Sequence, residues 1–370
     1  MIRRSLPVLG LLALALAVPG AASAQTAPKF TLPPGFTIDV FAKSVGSVRL
    51  MTLDPAGTLL VSEPSRGRVL ALPDKAGKGK ADGIRTVVEG LDQPHGLAFK
   101  DGALYVAESS RVQRFTYDPA TMKATQPTLV VRSLPAGGNH WTRTVVFGPD
   151  GRMYVSVGSS CNVCRESDKR RAAVLRYNAD GTGEQLFATG LRNAVGLAFH
   201  PATGVLWATV NERDWRGDDL PNDMVTEVKE GAFYGWPDCL PAHGKPIPDD
   251  RFQKGGHCEN VTPPTVGIQA HSAPIGLAFY TGTQFPEDYR ANLFVVYRGS
   301  WNRTLPTGYK VVRIPFKDGK PSGNVQDFVT GWLEGTSAWG RPVDVVMGRD
   351  GALFVSDQGS GQIFRIAYRP

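Results

Sequence analysis

PVDVVMGRDGALFVSDQGSGQIFRI, residues 342–366, reads as three strands in succession. PVDVVM alternates, RDG turns it into ALFVSD, and QGSG returns the chain into QIFRI. Period-2 alternation broken by glycine-containing turns is a strand signature, and no 3.6-residue period runs through the stretch. The unit recurs upstream as RLMTLDPAGTLLVSEPSRGRVLAL from Arg49, HGLAFKDGALYVAESSRVQRF from His95 and RTVVFGPDGRMYVSVGSS from Arg143, the last with its third strand AAVLRYN delayed. It returns as VGLAFHPATGVLWATVNE from Val195, and as IGLAFYTGTQF from Ile275 with NLFVVYRGS and YKVVRIPF after it. Six copies at spacings of roughly 45 to 90 residues predict an all-β six-bladed β-propeller, in preference to a sandwich with regular turns. FTIDVFA, residues 36–42, alternates like a strand but precedes the first copy. It is predicted to pair beside QIFRIAY and close the last blade, which would leave no long edge exposed.

Composition agrees with this reading. Of 370 residues, Gly (42) and Pro (28) make up about a fifth, too much punctuation for a helical bundle, while 42% hydrophobic residues supply a sizeable core. Arg3 and Arg4 precede an apolar run over residues 6–18, and Ala22, Ser23 and Ala24 form an A-x-A cleavage signal before Gln25. Residues 1–24 are therefore expected to be a cleaved secretory leader, with 25–370 as one propeller domain in the periplasm or outside the cell. The apolar run is too short to span a bilayer, and no later stretch is long enough. The formal charge of +7 includes the two leader arginines, so it does not call for a nucleic-acid partner.

Four cysteines in an exported chain are most simply two disulfides, Cys161 with Cys164 and Cys239 with Cys258. The spacing does not suit a zinc ribbon, and Arg165 stands where covalent haem would need histidine. A redox-active C-N-V-C stays open beside the staple reading, although no thioredoxin-like βαβ pattern surrounds it.

No dinucleotide fingerprint, phosphate-binding loop or G-x-S-x-G elbow occurs. The candidates are instead polar residues opening the repeats. His140, in GGNHWTR, stands just before the third copy, where an imidazole can take a proton from a hydroxyl. Arg192 and Asn193 open the fourth copy and Arg341 the sixth, while Gln93 and His95 open the second. Equivalent positions in a propeller converge on its axis. Two insertions, 211–272 and 299–308, interrupt the rhythm and are expected to border the site. The second follows Arg298 and carries Trp301, Asn302 and Arg303. Guanidinium groups gathered there would suit a ligand with several carboxylates. In NERDWRGDDLPND, residues 211–223, Glu212, Asp214, Asp218, Asp219 and Asp223 offer an oxygen-rich setting for Ca²⁺, without EF-hand spacing. Rim salt bridges and a solvated acidic loop are the plainer alternatives.

GGNHWTRTVVFGPDG, GLRNAVGLAFHPATG, the acidic segment running to EGAFYGWP, HSAPIGLAF and GRPVDVVMGRDGALFVSD together resemble the soluble pyrroloquinoline quinone (PQQ) dependent sugar dehydrogenases, in particular the sorbosone dehydrogenase-like branch. The resemblance implies a six-bladed propeller holding PQQ and Ca²⁺, with His140 as general base while hydride passes to the quinone. It implies cofactor contacts from Gln93, Arg192, Asn193, His271, Arg298, Asn302, Arg303 and Arg341. It also implies a calcium loop at Glu212, Arg213, Asp214, Asp218, Asp219 and Asp223, where backbone carbonyls act beside side chains. The chain departs from the family in three places: Asn139 replaces an aspartate before the base, Val343 a second arginine, and Arg298 a lysine. The expected activity is oxidation of an aldose or related aldehyde such as sorbosone, with a quinone or a cytochrome as electron acceptor. A metal-dependent propeller lactonase and a non-catalytic binding propeller are the alternatives.

Overall fold

The computed structural model describes residues 2, 30–252 and 258–370; the expected leader, Ile2 apart, lies outside them. The predicted propeller is present as six four-stranded antiparallel sheets. Inner strands of blades 1 to 6 are Met51–Leu53, Gly96–Lys100, Arg143–Phe147, Ala194–Phe199, Pro274–Phe279 and Pro342–Met347. The second strands are Leu59–Glu63, Ala103–Ala107, Met153–Val157, Leu206–Val210, Leu293–Tyr297 and Leu353–Asp357, and every residue of all six is buried. Stacked blades cover both faces of these strands, so they read as nearly continuous apolar runs rather than alternating ones.

Ring closure follows the sequence expectation. Phe36–Ala42 pairs antiparallel with Gln362–Tyr368, Phe36 opposite Tyr368 and Val40 opposite Phe364, as the outer strand of blade 6. In the other five blades the outer strand is an element that the repeat unit did not contain. Arg85–Glu89 and Gln185–Thr189 show why: only one residue of the first and two of the second are buried, so they carry little apolar pattern.

The segment expected to be one insertion over 211–272 is partly blade. Asp223–Glu227 and Val266–Ile268 are the third and outer strands of blade 4, and between them lies an excursion containing the hairpin Cys239–Ala242 with Lys245–Pro248. Both disulfides form as paired, Cys161 with Cys164 and Cys239 with Cys258. Among the described residues no helix is long and apolar enough to cross a membrane.

Neighbouring blades are joined near the axis by second-strand hydroxyls. Ser62 donates to the His95 carbonyl at 2.8 Å, Thr209 to Ile275 at 2.6 Å and Ser356 to Arg49 at 2.8 Å. The repeated G-L-A-F places glycine at the same contact: a Cβ on Gly196 would overlap the Ile275 carbonyl, and one on Gly276 would overlap Asp344. Leu50, Val195, Ile275 and Val343 form an apolar plug on the axis. Val343, which replaces an expected arginine, is fully buried in that plug.

Candidate active site

Above the plug, with Val195 and Ile275 in its floor, opens a cavity of about 420 Å³. Its walls come from residues just before the inner strands and from the loops after the second strands. His140, Arg192, Asn193, Glu212, Asp214, Asp223, His271, Arg298 and Asn302 all line it, as the sequence reading expected. Arg49, Asn211, Trp301 and Gln358 join them.

His140 is half-buried. Its Nδ1 lies 2.9 Å from both the carbonyl and the hydroxyl of Ser159, and that hydroxyl donates its own proton to the Cys161 carbonyl at 2.7 Å. Both Ser159 oxygens are therefore acceptors, so Nδ1 carries the proton and Nε2 keeps a lone pair with no protein partner among the described residues. Burial, with the nearby Arg192 guanidinium, pushes the imidazole pKa down to about 3, and it is neutral at neutral pH. Asn139 gives the base no carboxylate; Ser159 orients it instead.

Arg192 does not present a free fork. Nε donates to the Asn162 carbonyl (2.8 Å), Nη1 to the carbonyls of Asn211 (3.1 Å) and Glu212 (2.7 Å), and Nη2 to Asn162 Oδ1 (2.9 Å) and Asp214 Oδ2 (3.1 Å). All five donors of a guanidinium are thus committed inside the protein. Arg49, which the sequence reading did not single out, is the opposite case. It is almost fully buried and, among the described residues, its side chain hydrogen-bonds only to Gln358 Oε1 (3.3 Å) and His95 Nε2 (3.2 Å), with the Trp141 ring 5.7 Å away and its Nε without a partner. Arg298 also meets Gln358 Oε1, through Nη2 at 3.0 Å. Neither arginine has a carboxylate within ion-pair distance among the described residues. Burial and the neighbouring Arg298 push the Arg49 pKa down to about 9. The signal in the sequence was its position: Arg49 precedes the inner strand of blade 1 as Arg192 precedes that of blade 4.

The cavity is also rich in oxygen. Glu212 Oε1, Asn193 Oδ1 and Asn302 Oδ1 are buried without a partner. Asn302 is oriented by donating Nδ2 to Asp214 Oδ1 at 3.1 Å. Burial pushes the Glu212 carboxyl up to about 8, against the pull of Arg192. Asp223 is a clamp, accepting the backbone N–H of Glu212 (2.9 Å) and of Ala273 (2.8 Å). His271 accepts from Asn302 Nδ2 at 3.5 Å and donates from Nε2 to the Gly217 carbonyl at 2.9 Å, tying the two loops together. Its backbone lies at φ 65°, and that of Trp215 at φ 69°. A positive φ is uncommon for a side chain as bulky as tryptophan. Trp215 and Trp301 stand exposed at the rim, edge to face at 5.1 Å.

Seven expected residues are not in the lining. Gln93 is exposed in the turn before blade 2, where the buried His95 takes the inward position. Arg213 pairs with the buried Asp249 and anchors the excursion of blade 4. Arg303 bonds the Asp218 carbonyl and lies 3.3 Å from Asp219, while the Asp218 carboxylate accepts the Thr304 N–H at 3.0 Å. Those three close the two loops on each other. The Arg341 guanidinium lies 5.7 Å from the Tyr309 ring, and its backbone N–H donates to Asp357. Among the described residues the acidic side chains of 212–223 do not converge as a ligand cluster. The one convergent group, Cys161, Cys164 and Glu166, has its thiols closed in the disulfide.

The family model described as TrAA12-like matches residues 30–369. The chain belongs to the TrAA12-like family. The resemblance to PQQ-dependent sugar dehydrogenases read from the sequence returns in the proteins to which the chain is similar. It is 27% identical over 405 residues to a pyrroloquinoline quinone-dependent pyranose dehydrogenase of Coprinopsis cinerea, covering 90% of this chain and 54% of that protein, about half its length. It is 26% identical over 271 residues to an aldose sugar dehydrogenase of Escherichia coli, covering 67% and 66% of the two chains. Among solved structures, the TrAA12-like propeller superposes on the calcium structure of the Trichoderma reesei family AA12 enzyme with a TM-score of 0.82 at 22% identity, over 93% of this chain and 98% of that one. The holo PQQ domain of the Coprinopsis cinerea pyranose dehydrogenase gives a TM-score of 0.78 at 24% identity, over 92% and 97%. At such identities these likenesses speak to the fold alone.

Proposed function

We propose that this protein is a PQQ- and Ca²⁺-dependent dehydrogenase that oxidises an aldose or a related sugar aldehyde, of which sorbosone is one, after export and removal of its leader. The carrying observation is that one cavity holds both kinds of unmet group: the buried Arg49 and half-buried Arg298 without acid partners, and the unpartnered acceptor oxygens of Glu212, Asn193 and Asn302. A polycarboxylate beside a divalent cation satisfies both at once.

Arg49 and Arg298 are the residues that would hold the carboxylates. Arg192, saturated by the protein, serves to fix the oxygen wall rather than to clasp the ligand. Glu212 Oε1, Asn193 Oδ1 and Asn302 Oδ1 are the oxygens that would face the cation, in place of the full acidic set over 212–223. When bound, the quinone supplies a two-electron hydride acceptor and Ca²⁺ a Lewis acid that makes it more electrophilic. His140 Nε2 takes the proton from the sugar hydroxyl, or from the hydrate of an aldehyde. Its lone pair is available because Ser159 holds the proton on Nδ1. Trp215 and Trp301 offer ring surface to the apolar face of a sugar at the mouth.

The test is to titrate the purified apo protein with PQQ and CaCl₂ and follow quinone absorbance, then dye reduction with a panel of sugars. Saturable binding with sugar-dependent reduction is expected, and absence of both would sink the proposal. His140→Ala should lower kcat by roughly 10²–10⁴-fold and leave PQQ affinity within a few-fold.

A further inference from the structure

The C-N-V-C segment does more than its small ring explains. A bridge three residues apart removes little conformational freedom from the unfolded chain compared with Cys239–Cys258, whose cysteines are 19 apart. Its position is the informative fact. Asn162, between the two cysteines, spends every polar side-chain atom and its carbonyl on the cavity wall of the next blade. Its carbonyl accepts from Arg192 Nε at 2.8 Å and from Trp236 Nε1 at 3.2 Å. Oδ1 accepts from Arg192 Nη2 at 2.9 Å and from the Asp214 N–H at 2.8 Å, and Nδ2 donates to the Asp214 carbonyl at 3.2 Å. On the other side, the Cys161 carbonyl takes the Ser159 hydroxyl proton and so sets the tautomer of His140.

We propose that the disulfide-locked segment 159–164 is the positioning element of the site, with Asn162 holding Arg192 and the 211–214 loop in place while Ser159 holds His140. Base and oxygen wall then share one rigid support, although they stand on different blades. Neither Asn162 nor Ser159 touches the reacting atoms. The inference rests on the cofactor reading only for the ligand that the loop would hold; the support itself is a property of the chain.

Two variants test it, Asn162→Ala and the double variant Cys161→Ser/Cys164→Ser. Without any ligand, amide hydrogen exchange over 211–214 should quicken at least tenfold in both, because the Asp214 N–H loses its acceptor or that acceptor loses its anchor. In PQQ-loaded protein the CaCl₂ concentration for half-saturation, read by quinone absorbance, should rise at least tenfold while the sugar KM stays within twofold. A merely structural role would lower the active fraction and leave that midpoint where it was. Unchanged exchange over 211–214 in Asn162→Ala overturns the proposal, whatever the ligand does. Unchanged exchange in the double cysteine variant alone overturns the part given to the disulfide. Faster exchange in both variants, with no PQQ binding by the wild type, would sink the cofactor reading and leave the positioning role standing.

Discussion

Glu212 shows how a single residue trades stability for a binding site. Its carboxyl is buried, one oxygen has no partner, and its pKa rises from the ordinary 4.5 to about 8. The folded state therefore holds this proton more tightly than the unfolded state, so the stability contribution is fullest below pH 4.5 and is lost as pH climbs to about 8. Glu212→Gln keeps the shape of the protonated form. The apo variant should melt several degrees above wild type at pH 8 and level with it near pH 4.5, while its Ca²⁺ affinity falls at least tenfold. Equal melting at pH 8 would contradict the assignment of an ionised, unpartnered carboxylate. His140 acts in the opposite direction: with a folded pKa of about 3, it costs stability as pH falls below 6.5, when the unfolded chain takes up a proton that the folded imidazole refuses. Trp215 belongs to the same scale, with a positive φ and an exposed indole that meets Trp301 edge to face.

At the scale of elements, the inner strands position the site because they approach one another so closely. Gly196 faces the Ile275 carbonyl, and Gly276 faces Asp344 and the Val343 carbonyl. Gly196→Ala or Gly276→Ala should cost roughly 1–3 kcal/mol in chemical denaturation, through forced separation of adjoining blades. PQQ affinity should fall with it, since these strands carry Arg192 and His271 at their starts. Gly267→Ala is the contrast, on the outer strand of blade 4 with no atom within 4 Å of the added methyl. It should be neutral to within about 0.5 kcal/mol. Equal losses at inner and outer positions would show that the close approach is not the cause.

For the whole molecule, the decisive contact joins the two ends of the described chain. Phe36 meets Phe285 and Phe328 of blade 5 at 4.8 and 5.0 Å, and Tyr368 of blade 6 at 5.0 Å, all near right angles or tilted. Removal of residues 30–42 would uncover Gln362–Tyr368 as a long apolar edge and open this aromatic cluster. Such a chain should lose its cooperative thermal transition and aggregate, visible in calorimetry and light scattering. Retention of the wild-type melting temperature would refute the closure as the lock of the ring.

Sequence by itself determined the repeat, the number of blades, the closing strand and about half of the cavity lining. Period-2 patterns and glycine turns are local, and a ring places equivalent positions together without further information. Only the tertiary structure decided which charges are free. Arg192 and Arg49 look alike in the sequence, yet one is saturated by carbonyls from two neighbouring loops and the other is buried with an empty donor. The same holds for Asp218 and Asp223, both oxygen-bearing residues of one acidic run, which turn out to be a loop cap and an inner clamp. Asn162 was hidden for the same reason: its partners lie 30 and 52 residues away, on a different blade. Hydrogen-bond saturation depends on which atoms the fold brings within about 3 Å, and no local pattern encodes that.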